Sequence, residues 1–162
     1  MPKTNNTISR GKFKELIHSE LYKSKEIRDL ILGDTEELSS KEIQNKFKEH
    51  VMSHLFIDDL ITQTETYIYY DVYFPALHTQ VKNCRVLMYL ICHRDILDNY
   101  NVDGYYGNRT DVLSEMVENV LINNEEIIRS FGIGKLLLSS VEPYNSRNFY
   151  GCILTFDVSD FR

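Results

Sequence analysis

A chain of 162 residues has room for one domain with a real hydrophobic core. Its 43% hydrophobic and 26% charged content excludes wholesale disorder. No apolar run approaches the ~20 residues that span a bilayer, so no membrane partner is expected. The net charge of −6 is uneven: residues 1–50 hold ten Lys/Arg against nine Asp/Glu, whereas residues 51–162 hold eight against fifteen. An acidic body repels phosphate and offers no basic stripe with which to grip nucleic acid. The opening Met-Pro-Lys-Thr-Asn-Asn carries no apolar signal core, so the chain is expected to stay in the cytoplasm.

Residues 1–8 are polar. Ser9 is a plausible N-cap, and Phe13, Leu16, Ile17, Leu21, Ile27, Leu30 and Ile31 recur at helical spacing up to Gly33. Ser39 with Glu42 forms a capping box that opens a second helix, carrying Ile43 and Phe47. Leu55–Thr64 is an aperiodic connector. A strand follows, with Tyr67, Tyr69, Asp71 and Tyr73 on one side and Ile68, Tyr70, Val72 and Phe74 on the other, stopped by Pro75.

After a turn at His78–Asn83, Cys84–His93 alternates Cys84, Val86, Met88, Leu90, Cys92 with Arg85, Leu87, Tyr89, Ile91, His93. Both sides are apolar in the middle. This strand should therefore be central and covered on both faces. Asp98–Asn108 is turn-rich and reads as a flexible loop. Thr110 or Asp111 then caps a helix with Val112, Leu113, Met116, Val117, Val120 and Leu121 on one stripe and Asp111, Glu115 and Glu118 off it. Asn123 with Glu126 opens a short further turn. Lys135–Val141 is the third strand, Glu142–Arg147 a turn, and Phe149–Val158 the fourth strand.

The expected architecture is α+β: N-terminal helices, then a four-stranded antiparallel sheet of two hairpins, with one helix packed across it. One domain, 1–162, would comprise a helical region, 1–50, and an α+β body, 51–162.

No constellation for catalysis or cofactor binding emerges. His50 and His54 have the helical spacing of metal ligands, but the intervening Val-Met-Ser lacks the Glu of a metalloprotease helix and no third ligand is evident. Two partly exposed histidines are the plainer expectation. Gly132-Ile-Gly134-Lys135 is followed by Leu136 and a strand, whereas a phosphate loop needs Ser or Thr and a helix. Cys92 and His93 are strand neighbours and point to opposite faces. Cys84 and Cys92 lie roughly 26 Å apart along one strand and cannot bridge. Cys92 and Cys152 could meet across strands, but free buried thiols are expected for all three. Eleven Tyr without Trp put more weight on the stripe Tyr67, Tyr69, Tyr73, which fits either a subunit interface or a strand under the N-terminal helices.

Four stretches, LFIDDLITQTETYIYYDVYFP (55–75), RVLMYLICHRDIL (85–97), RTDVLSEMVENVL (109–121) and GIGKLLLSSVEPYNSRNFYGCILTFDVSDF (132–161), resemble a family of tail-terminator or tail-completion proteins from the neck of long-tailed bacteriophages. The resemblance covers about two thirds of the chain, and residues 1–50 depart from it, with two helices where one is usual. It implies a virion protein without catalytic residues or cofactor: a homo-oligomeric ring, commonly a hexamer, between the tail tube protein and the head connector protein. DNA would pass through its bore without specific binding. Another connector or stopper subunit remains open, as does the separate class of a small enzyme or ligand-binding module. In a ring, Asp98, Asp103, Asp111, Glu115 and Glu118 are the candidates for the bore, with only Arg109 as counter-charge in that run; a solvated outer face is the other placement.

Because both the histidine and the glycine patterns are incomplete, purified protein is expected to hold no stoichiometric zinc and to melt at the same temperature with and without ATP. Elemental analysis and a thermal melt check this, and bound metal or an ATP-dependent shift overturns it.

Overall fold

The computed structural model describes residues 6–58, 62–77, 82–131 and 135–161. In chain order the elements are α1 (Asn6–Lys23), α2 (Lys25–Leu32), α3 (Ser40–His50), β1 (Val51–Met52), β2 (Thr66–Leu77), β3 (Lys82–His93), α4 (Arg109–Leu121), α5 (Glu125–Phe131), β4 (Leu137–Asn145) and β5 (Phe149–Phe161). The sheet order is β1-β2-β3-β5-β4. All neighbours are antiparallel except β1 and β2, which are parallel. The fold is thus α+β as expected, but with a mixed sheet of five strands rather than an antiparallel four. The additional strand has two residues, too few to show a period.

Caps account for the helix boundaries. The single helix expected from Ser9 to Gly33 is broken at Ser24, whose hydroxyl accepts from the Ile27 amide and starts α2. Ser9 lies inside α1, which begins at Asn6, and is not its cap. Gly33, at φ 71°, ends α2 with its amide on the Asp29 carbonyl at 2.9 Å. The Ser39–Glu42 capping box is present. For α4 the cap falls earlier than Thr110 or Asp111: the Asn108 side chain accepts from both of their amides, and the Asp111 carboxylate accepts from the Asn108 amide. Asn124, not Asn123, caps α5, since its side chain accepts from Ile127; Asn123 itself turns the chain at φ 64°.

One face of the sheet is sealed by helices. Ile68, Tyr70 and Val72, then Cys84, Val86, Met88 and Leu90, then Cys152, Leu154, Phe156 and Val158 share one core with α1, α2, α3 and α4. The expectation of one helix across the sheet is therefore too small; α1 and α2 lie on the same face as α4, against β2. β3 is the middle strand, as expected. Its coverage on both faces holds only at one end. On the second face Ile91 is buried, whereas Arg85, Leu87, Tyr89 and His93 are half-buried.

The two prolines bend the strand limits without ending them. β2 runs past Pro75 to Leu77, with a bulge between Tyr73 and Ala76. β4 runs past Pro143 to Asn145, so the residues expected to turn from Glu142 onward are mostly strand; an edge strand tolerates the missing donor. The turn before β3 and the Gly132/Gly134 pair fall largely on residues outside those described. A Cβ at Gly151 would lie 1.8 Å from the Leu90 carbonyl oxygen, so only glycine permits this approach of β5 to β3.

Leu90 is fully buried at the centre of this packing. Leu90→Ala is expected to cost about 2–5 kcal/mol. A chemical or thermal melt showing a loss below about 1 kcal/mol would place the core elsewhere.

Candidate functional site

The second face of the sheet is where the sequence expectations for an interface meet the structure. Tyr67 and Tyr69 are only 4% and 1% exposed and pack with Ile91 and Phe149 in a second, smaller core. The cover comes from the chain leaving α3: Met52 and Ile57 pack on the cluster, and the His54 ring lies 5.9 Å from Tyr69. Tyr67 and Tyr69 are therefore neither an open interface nor a strand under the N-terminal helices, which take the opposite face. Tyr73 stays half-buried, with the Arg85 guanidinium 5.9 Å over its ring. Beyond the reach of the cover, Tyr73, Leu87, Tyr89 and Ile153 are half-buried and Leu137 is 60% exposed. The Arg85–Asp157 ion pair, Thr155 and Glu142 lie among them on the same face, so this half of it interleaves tyrosines and aliphatics with charge.

The acidic residues sit on the other side of the molecule. Asp98, Asp103, Asp111 and Glu115 are exposed and Glu118 is half-buried. Asp111 doubles as part of the α4 cap. The one cation in the run that carries them is turned inward: Arg109 donates to the Ile96 and Leu30 carbonyls and to Asn99, and lies 4.8 Å over the Tyr100 ring. The surface here is thus more acidic than the sequence count implies. The loop that carries Asp98 and Asp103 is also tied down rather than free, because the Tyr105 phenol donates to Glu26 at 2.6 Å. That bond is the main reason the Tyr105 phenol is pushed up to about 12.

Two polar knots frame the cover segment. At the first, the Asp71 carboxylate accepts from Arg10 (2.6 Å), Lys14 (2.7 Å) and the Val72 amide (2.8 Å), while Arg10 also donates to the Val72 carbonyl. Both backbone groups of Val72 are thereby capped by side chains. At the second, His50 is buried, correcting the expectation of a partly exposed pair, while His54 is exposed. The His50 Nδ1 faces the Lys46 carbonyl at 2.7 Å and its Nε2 faces Glu65 Oε2 at 3.0 Å. The Tyr67 phenol donates to the same Oε2 at 2.9 Å, and its ring stacks on His50 at 5.1 Å. Burial, then the Glu65 carboxylate, push this phenol far above its ordinary range, so it stays a donor.

Beside this knot lies a cleft of about 320 Å³, with Asp29, Lys46, His50, Glu65, Thr66 and Arg109 in its lining. Its His50 and Arg109 donors already have partners. Among the described residues no group of three or more His, Cys, Asp or Glu is placed to hold a metal ion. Cys92 is fully buried on the helix face, and burial holds its thiol up at about 11. His93 instead caps the 3₁₀ turn Arg94–Ile96 by accepting from the Asp95 amide. The three cysteines are free and buried, and no helix among the described residues is long and apolar enough to cross a membrane. The covered tyrosines were the feature sequence reasoning missed, since an aperiodic connector gives no sign of what it lies against.

A family model described as YomW matches residues 14–158, and the chain belongs to that family. The family's name is phage-derived, which points to a phage-associated protein. The match takes in α1, α2 and α3, so the N-terminal helices are part of the family's common body rather than an addition to it. No curated protein matches the chain.

The Asp71 knot has a pH signature. Burial raises the Asp71 carboxyl, but the Lys14 and Val72 bonds and the Lys14 and Arg10 charges outweigh it and leave it below its ordinary value. Its contribution is therefore present above the usual carboxylate range and lost as pH falls through the lowered value. Asp71→Asn is expected to cost about 1–2 kcal/mol at neutral pH, the pair being partly screened by solvent. The difference between the two melts should begin to close only as pH falls below about 4 and vanish below the lowered value, and a difference that persists there would exclude this assignment.

Proposed function

We propose that this YomW-family protein is a structural subunit of a phage neck: a ring-forming tail terminator that caps the tail tube and joins it to the head connector. The observation that supports this most is the open half of the second sheet face. Leu87, Ile153 and Leu137, with Tyr73 and Tyr89 beside them, present partly exposed apolar and aromatic surface around the Arg85–Asp157 ion pair. Tyrosine-rich, half-buried surface of this kind is the composition of subunit contacts. The phage-derived family name agrees with such a role.

Asp98, Asp103, Asp111, Glu115 and Glu118 are assigned to the bore. With Arg109 spent on backbone carbonyls, an acidic wall would let the genome slide, whereas a basic wall would bind phosphates and stall it. The cleft beside His50 favours a second reading, a small-ligand module. Its His50 and Arg109 donors are already bonded within the protein, which is why assembly is preferred.

Light scattering and electron microscopy of the purified chain test the proposal. Rings, of six copies by analogy with tail terminators, are expected from the wild type. Leu87→Asp is expected to return monomers that keep the wild-type circular dichroism. A wild type that stays monomeric at micromolar concentrations overturns the ring, and a bore lined by Lys and Arg overturns the sliding argument.

A further inference from the structure

We propose that His50, Glu65 and Tyr67 form a proton-dependent latch that closes the base of the excursion between α3 and β2 and so holds residues 51–58 over the second face of the sheet. His50 is the last residue of α3 and Glu65 stands immediately before β2. Their contact joins the two ends of the excursion whose first part covers Tyr67 and Tyr69. Glu65 is anchored in turn, because its carbonyl accepts from the His93 amide at 3.1 Å. The latch rests on the geometry of a single chain and not on the ring.

The proton requirement follows from the partners. A carbonyl oxygen can only accept, so Nδ1 must donate to Lys46. A neutral imidazole then has no N–H left for Nε2. Glu65 Oε2 already accepts from the Tyr67 phenol. The 3.0 Å contact between Nε2 and Oε2 therefore needs one further proton, whichever of the two atoms holds it. Without it, two lone pairs face each other at a buried ring, and a carboxylate charge loses its partner.

Among the described residues no other donor is bonded to this contact. Around the latch stand Lys46 from α3, Asp29 from α2, Arg109 from α4, Gln63, whose Oε1 lies 3.2 Å from the Tyr67 phenol, and Glu65 and Tyr67 themselves. Arg109 is committed to Ile96, Leu30 and Asn99. His54, four residues on, lies outside the latch and accepts from the Phe56 amide. Loss of the proton is thus expected to free the base of the excursion, loosen the two-residue pairing of Val51–Met52 with Ile68–Tyr69, and uncover the tyrosines.

Amide hydrogen exchange, expressed as protection factors so that the intrinsic effect of pH is removed, tests this on the full chain. As the pH is raised from about 5 to 8, protection at Met52 and Ile68 is expected to fall about tenfold or more. Leu90, in the main core, serves as the unchanged reference. In Glu65→Gln the amide can donate to a neutral Nε2 while Nδ1 keeps Lys46, so protection should stay high at both values. In His50→Gln it should be low at both. A wild type without a pH-dependent fall, or a fall of the same size in Glu65→Gln, overturns the latch. Should His50→Gln not fold, Glu65→Gln alone decides between these outcomes.

Discussion

The helices that seal the main core lie on one side of the sheet, and this asymmetry governs the rest of the molecule. β2, β3 and β5 bury one face completely against α1, α2 and α4. Their second face interleaves tyrosines and aliphatics with Asp71, Arg85, Thr155 and Asp157, and among the described residues the segment leaving α3 covers one end of it. Burying a tyrosine removes ~150–250 Å² from water, an upper value of about 4–6 kcal/mol at ~25 cal/mol/Å². The backbone bonds of a two-residue strand contribute about 1 kcal/mol each. Packing on Tyr67 and Tyr69 therefore holds the cover segment in place, and the parallel pairing of β1 mainly sets its register.

The edges of the sheet are treated differently from its faces. Along β2, Asp71 and Arg10 occupy both backbone groups of Val72 where β1 no longer pairs. At the other edge, β4 carries Glu142 and Pro143, residues that discourage the addition of a strand. Both edges therefore discourage extension of the sheet by strand addition.

Charge adds a second asymmetry. The acidic residues of the loop and α4 face outward, while Arg109 is drawn under them to hold Leu30, Ile96 and Asn99 together. A cation used as internal scaffold leaves the surface potential to the carboxylates. The same arrangement fixes the loop after β3 against α2 through Tyr105 and Glu26. The YomW match across residues 14–158 spans both the helical layer and the sheet that carry these asymmetries.

Local chemistry made much of this legible in the sequence. The Ser39–Glu42 box, the apolar stripe of α4, the central place of β3 and the alternation of β5 follow from caps and periodicity, which depend on near neighbours in the chain. The Ser24 break was hidden because the apolar spacing continues across it. β1 was hidden because two residues have no period, and the prolines misled because edge position and a bulge, both tertiary facts, decide whether a strand survives them. Above all, the sequence could show that Tyr67 and Tyr69 share a face but not what lies on it. That was decided by the path of an aperiodic segment after α3, together with a buried His50 that meets Glu65 only once the chain has folded back on itself.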